Sequence, residues 1–188
     1  MVIYIHGFGT SGLGGKGSQF REYFKSIGEP FIAPSLSYVP ELAIATLEEL
    51  VESYDNVKLM GSSLGGYYAM HLAEKHKLKA VLINPTVDAF EILRNARTPE
   101  GQAKNYYDNS SFLWLDSHVE TLKKYEIEPK EGKYLLMLQK EDQILDYTKA
   151  LTRLEKLPSV TTILEEGGTH AFANIERHHD VIRGFFGI

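Results

Sequence analysis

Residues 57–69 read Val57-Lys58-Leu59-Met60-Gly61-Ser62-Ser63-Leu64-Gly65-Gly66-Tyr67-Tyr68-Ala69. A short apolar run meets a G-x-S-x-G pentapeptide, and a segment of helical period follows through Tyr67, Tyr68 and Leu72. A serine at a strand-to-helix turn of this kind sits in a strained backbone with its hydroxyl above the sheet. The pattern needs glycine two positions before and two after, here Gly61 and Gly65, because side chains there would collide across so sharp a turn. The register selects Ser63 over Ser62 as nucleophile. A serine- and glycine-rich turn that merely starts a helix is the bland alternative, so the rest of the chain has to decide.

Outward from this turn, short β-branched runs alternate with amphipathic segments. Val2 to Ile5, Pro30 to Leu36, Val57 to Met60, Ala80 to Ile83, Tyr134 to Leu138 and Val160 to Leu164 suit strands buried on both faces. Leu47, Leu50, Val51 and Tyr54 behind Pro40 recur at helical spacing. Two more helices are expected, from Tyr147 to a stop at Pro158 and from Ile175 to Phe186. The alternation predicts an α/β fold: a mostly parallel sheet of about six strands with helices on both faces. Residues 86–132 break the rhythm, with no clear strand but many aromatics, and are expected to form a helical lid over the sheet within a single domain spanning residues 1–188.

Composition narrows the function. The chain has 188 residues, 43% hydrophobic and 24% charged, with a net charge of −5 and no cysteine. This is a globular composition with no footprint for nucleic acid or an anionic membrane, and thiolate chemistry is excluded. No apolar run approaches the length of a membrane span, and Met1 to Gly7 has no signal-peptide pattern, so a cytoplasmic protein is expected. Oligomeric state is not legible.

Gly7-Phe8-Gly9-Thr10-Ser11-Gly12 matches the dinucleotide fingerprint after the first strand. Its context argues against that role. Gly14, Gly15 and Gly17 disfavour the helix that the fingerprint requires, and the second strand ends in Pro34-Ser35-Leu36-Ser37 with no carboxylate from there until Glu41. No cofactor is expected. His71 and His76 are five apart and His178 and His179 adjacent, neither a metal-ligand spacing, so no metal is expected.

A serine hydrolase uses the glycine loop better. The chain order Ser, acid, His is met by Ser63, then Glu141 and Asp142 after the fifth strand, then His170 after the sixth. Parallel strand ends share one edge, so Ser63, Asp142 and His170 can converge. Glu141, Asp146 and Asp88 compete for the acid, although Asp146 suits a helix cap. Backbone N–H groups of Leu64 and of Phe8, or Gly9 in its place, are candidate oxyanion donors.

Together IYIHGF (3–8), GSSLGGYYA (61–69), INP (83–85), EDQILDY (141–147) and EEGGTHAF (165–172) resemble the small YqiA-type bacterial esterases of the α/β-hydrolase superfamily over nearly the whole chain. The resemblance implies a sheet lacking the first two antiparallel strands of larger hydrolases, with Ser63 as nucleophile, Asp142 as acid and His170 as base. The chain departs at Asp88, where that family often has a basic residue after the valine of N-P-x-V. The expected function is cleavage of small to medium carboxylic esters or thioesters. The alternative is a hydrolase-fold protein that binds a ligand or partner without turnover.

Overall fold

A computed structural model describes all of residues 1–188. In chain order the elements are β1 (Val2–Ile5), α1 (Gly15–Ser26), β2 (Phe31–Ile32), α2 (Pro40–Ser53), β3 (Lys58–Ser63), α3 (Leu64–His76) and β4 (Lys79–Pro85). There follow α4 (Ala89–Leu93), β5 (Gln102–Lys104), β6 (Ser111–Leu113), α5 (Asp116–Leu122), β7 (Lys133–Gln139), α6 (Tyr147–Leu154), β8 (Val160–Glu165) and α7 (His179–Phe186).

Six strands form one parallel sheet in the order β2-β1-β3-β4-β7-β8. Period-2 alternation divides each central strand between two cores. Ile3, Ile5, Leu59, Leu82, Leu136 and Leu138 face the layer containing α2, α3, α5 and α6. Val2, Tyr4, Met60, Ile83, Leu135 and Met137 face Phe20 and Phe24 of α1 and Ile182 and Phe186 of α7. Strands covered on both faces must be apolar throughout, which is why those runs stand out in the sequence. No helix is long and apolar enough to cross a membrane.

The strand order turns back between β1 and β3: β2 lies to one side of β1 and every later strand to the other. In open α/β sheets ligands bind beyond the carboxyl ends of strands at such a switch point. The loop from His6 to Gly9 and the turn at Ser63 both emerge there.

Four local expectations are corrected. A helix does open at Gly15, directly after the glycine-rich loop, despite the poor propensity of Gly15 and Gly17. Burial of Phe20 and Phe24 outweighs that propensity. The case against a dinucleotide therefore rests on the missing carboxylate alone. The second strand shrinks from Pro30–Leu36 to two residues, since Pro34 lacks the N–H a ladder needs. Residues 86–132 are not wholly helical: β5 and β6 form an antiparallel hairpin between the short helices α4 and α5. Also, α6 ends at Leu154 rather than at Pro158, and the apolar period continues to Leu157 as a single turn closed by Leu157 N–H on Leu154 O at 3.0 Å.

Candidate active site

Ser63 ends β3 and immediately precedes α3, with φ 54° and ψ −123°. A non-glycine residue held at positive φ costs of order 1–3 kcal/mol and persists only where its surroundings enforce it. Here they do. A Cβ on Gly65 would run into the Ile5 carbonyl of β1, and one on Gly61 into the Gly65 carbonyl, so helix and strands meet at backbone contact. The Ser63 carbonyl accepts from Thr86 N–H at 3.1 Å. Ser62 is hydrogen-bonded to the Tyr4 hydroxyl at 2.8 Å, leaving Ser63 as the serine of the turn itself.

His170 and Asp142 are brought together from 28 residues apart. Nδ1 of His170 lies 2.8 Å from Oδ2 of Asp142, whose side chain is 1% exposed. Oδ1 of Asp142 accepts from Ile144 N–H at 2.8 Å and Leu145 N–H at 2.9 Å. Burial alone would raise this carboxyl, but the hydrogen bonds from His170, Leu145 and Ile144 more than offset it and hold Asp142 below its ordinary value. Asp142 therefore stays ionised, and an Nδ1–H pointing at it leaves Nε2 of His170 as the ring's acceptor. The ring's Nε2 and the Ser63 hydroxyl are not hydrogen-bonded to each other.

The competing carboxylates are occupied elsewhere. Asp146 caps α6 by accepting from Thr148 N–H at 2.9 Å. Asp88 pairs with Lys149 at 2.9 Å, and Glu141 is exposed. Among the other histidines, His76 pairs with Glu48, His178 pairs with Glu165, and His179 stacks on Tyr23. No three His, Asp or Glu side chains gather in a metal-binding arrangement.

The loop after β1 runs against the serine: a Cβ on Gly7 would stand 3.7 Å from Ser63 Oγ. His6 fixes this loop. Its Nε2 accepts from Leu36 N–H at 2.9 Å, so Nδ1 carries the proton and donates toward Gly7 O at 2.9 Å. Burial pushes the His6 imidazole below its ordinary value, which keeps that neutral tautomer. Phe8 N–H and Gly9 N–H donate to no protein group, and Leu64 N–H opens a helix, where the first amides have no partner within it. Phe8 turns its ring into the insertion, edge-on to Trp114 at 4.8 Å and to Phe112 at 5.4 Å. The hairpin reaches back, with Tyr106 N–H donating to Gly9 O at 2.6 Å.

Two residues that hold the histidine loop have no role expected from the sequence, although Asn84 lies within the INP segment. β8 lies three strands away from β3, so the His170 loop must fold back across the sheet edge. Asn84, 2% exposed at the end of β4, draws it there by donating from Nδ2 to Thr169 O at 2.9 Å and His170 O at 3.2 Å. Its Oδ1 accepts from Gln139 N–H at 3.0 Å. Gln139, 3% exposed, accepts at Oε1 from Thr169 N–H and Ala173 N–H and donates from Nε2 to Glu165 and Ala173 O. The signal for both was a polar residue closing an otherwise apolar strand. Gln143 adds an acceptor for His170 N–H at 3.1 Å.

The chain as a whole is similar to known proteins. A UPF0227 protein of Vibrio parahaemolyticus is 25% identical, with 98% of each chain covered. Alpha/beta hydrolase domain-containing protein 10 from mouse superposes with TM-score 0.72 at 19% identity, covering 97% of this chain and 89% of its own. A monoacylglycerol lipase of Paleococcus ferrophilus does so with TM-score 0.72 at 18% identity, covering 99% and 93%. At such identities the likeness establishes the fold, that of the α/β hydrolases. The model of the family described as Uncharacterised protein family (UPF0227) matches residues 1–187, and the chain belongs to that family.

Proposed function

We propose that the protein is a serine hydrolase that cleaves small to medium carboxylic esters or thioesters through Ser63, His170 and Asp142. The observation that carries the reading is the φ of 54° at Ser63, a strain that a mere helix start does not need. Nε2 of His170 takes the proton from Ser63 Oγ as that oxygen attacks the acyl carbon, and Asp142 stabilises the imidazolium. The N–H groups of Phe8 and Leu64 hold the tetrahedral oxyanion, each worth about 2.7–4 kcal/mol in the transition state. His170 then protonates the leaving alcohol or thiol, deprotonates water and regenerates Ser63 as the acid departs. The lipase among the fold's neighbours is consistent with ester chemistry on this framework.

The missing hydrogen bond between Ser63 and His170 favours the rival reading, binding without turnover. Catalytic hydrogen bonds are commonly long in free enzymes and tighten with substrate. Covalent labelling separates the two readings. A fluorophosphonate should add once per chain, and peptide mapping should place the adduct on Ser63. A folded protein that takes up no reagent sinks the hydrolase reading in favour of the binding one.

The clamp at Asn84 predicts a separable effect. Asn84→Asp keeps an acceptor for Gln139 N–H but turns an oxygen toward the carbonyls of Thr169 and His170. Displacement of the histidine loop should lower kcat by about 10²-fold with a smaller change in KM. Steady-state kinetics on the folded variant measures it, and an unchanged kcat removes Asn84 from the positioning of His170.

A further inference from the structure

A cavity of about 180 Å³ opens beside the two candidate oxyanion donors, with Phe8 and Leu64 in its wall and Ser37, Tyr38, Tyr68 and Asn105 around it. No Asp, Glu, Lys or Arg lines it. Its polar groups divide into two kinds. Four are already paired: His6 with Leu36 N–H, Thr10 with Gly7 O, and Ser11 with Ser35. Apart from the half-exposed phenols of Tyr38 and Tyr107, three side-chain donors are left over. Ser37 Oγ accepts from Val39 N–H and keeps its own proton, and Asn105 accepts at Oδ1 from Tyr107 N–H, leaving its Nδ2 free. The third is the Tyr68 hydroxyl, on a residue only 3% exposed.

Tyr68 is the unusual one. It stands on the second turn of α3, five residues after Ser63, and its phenol makes no hydrogen bond within the chain although its ring packs against Tyr67 and Tyr125. Burial raises the phenol well above its ordinary value, so the group remains a donor. The hydroxyl is not sealed from solvent, and a ligand that covers it without supplying an acceptor leaves the donor unpaired at a cost of roughly 1–3 kcal/mol, which a ligand oxygen avoids.

We propose that this cavity is the acyl subsite and that it selects a short acyl chain bearing a neutral acceptor oxygen (keto, hydroxy or alkoxy), bound by the Tyr68 hydroxyl. The inference rests on the hydrolase reading and names its substrate class. Size sets the chain length, since a cavity of about 150 Å³ holds a benzene ring and this one is slightly larger. A carboxylate is disfavoured because no cation lines the wall to offset its desolvation. A plain alkyl chain of the same length fits but leaves the Tyr68 donor unpaired.

The test compares 4-nitrophenyl hexanoate with its 3-oxo, 4-oxo and 5-oxo counterparts. The wild-type protein should favour the best oxo ester by about tenfold in kcat/KM, expressed mainly in KM. Tyr68→Phe, which keeps the ring packing, should bring that ratio close to one, and fluorophosphonate labelling of Ser63 in the variant certifies that the turn is folded. A wild-type preference for hexanoate, or a ratio that survives Tyr68→Phe, overturns the subsite while leaving the hydrolase reading standing. No turnover of any ester together with no adduct on Ser63 overturns both.

Discussion

Replacing Ser63 with alanine is expected to lower ester turnover by about 10⁴- to 10⁶-fold, the range in which removal of a serine nucleophile leaves only binding and oxyanion stabilisation. The change should cost almost no stability. Ser63 Oγ does not cap α3, and alanine inherits the same φ of 54°. Ser63→Gly sharpens the point, because glycine occupies positive φ without the Cβ penalty. That variant should be equally inactive yet melt at a higher temperature than Ser63→Ala, showing that the backbone strain belongs to the reactive position and not to the fold. Turnover assays and thermal melts of the two variants measure both halves. Near-wild-type activity in a clean Ser63→Ala preparation would falsify the mechanism.

Asp142→Asn should lower kcat by about 10⁴-fold through the histidine tautomer. Asparagine can still accept Ile144 N–H and Leu145 N–H with its oxygen, so the loop keeps its shape. Its Nδ2 then faces Nδ1 of His170 across the 2.8 Å contact, and two donors cannot share it. The ring must carry its proton on Nε2, where it can no longer accept one from Ser63. A loss under tenfold would mean that Asp142 only orients the ring. The substitution also has a stability signature. Hydrogen bonds hold the Asp142 carboxyl below its ordinary value in the folded protein, so ionisation there adds stability above the unfolded carboxyl range and loses it as pH falls through the folded value. The asparagine variant should lack that part of the acid-induced loss, as chemical denaturation across the carboxylate range would reveal.

The large elements were legible because burial on both faces forces a pattern. The core of β1, β3, β4 and β7 coincides with apolar runs visible in the chain, and α2, α6 and α7 follow helical spacing. By contrast β8, expected to be buried on both faces, is an edge strand with no fully buried residue and Leu164 39% exposed. Two classes of feature escaped. β5 and β6 are three residues each with one buried side chain apiece, Ala103 and Phe112, too short for period-2 alternation to register. The histidine clamp escaped for another reason. Asn84 meets Thr169 and His170 across 85 and 86 residues, and a side-chain bond to a distant backbone imposes no local period. The strained turn at Ser63 was legible because Gly61 and Gly65 are what so tight a strand-to-helix junction requires locally. The acid was not singled out by local pattern, since Glu141, Asp142 and Asp146 lie within six residues and only the fold separates them.

The hydrogen bond from Tyr106 to Gly9, with the Phe8 ring lodged beside Phe112 and Trp114, ties the insertion to the loop that carries a candidate oxyanion donor. Access and competence are thereby linked thermodynamically. A motion that lifted the hairpin to widen the entrance would break that bond and withdraw the Phe8 ring, disturbing the amide beside it. Any ligand that binds better to the lifted state must therefore oppose assembly of the oxyanion site by the same free energy, and any acyl group that completes that site must hold the hairpin down.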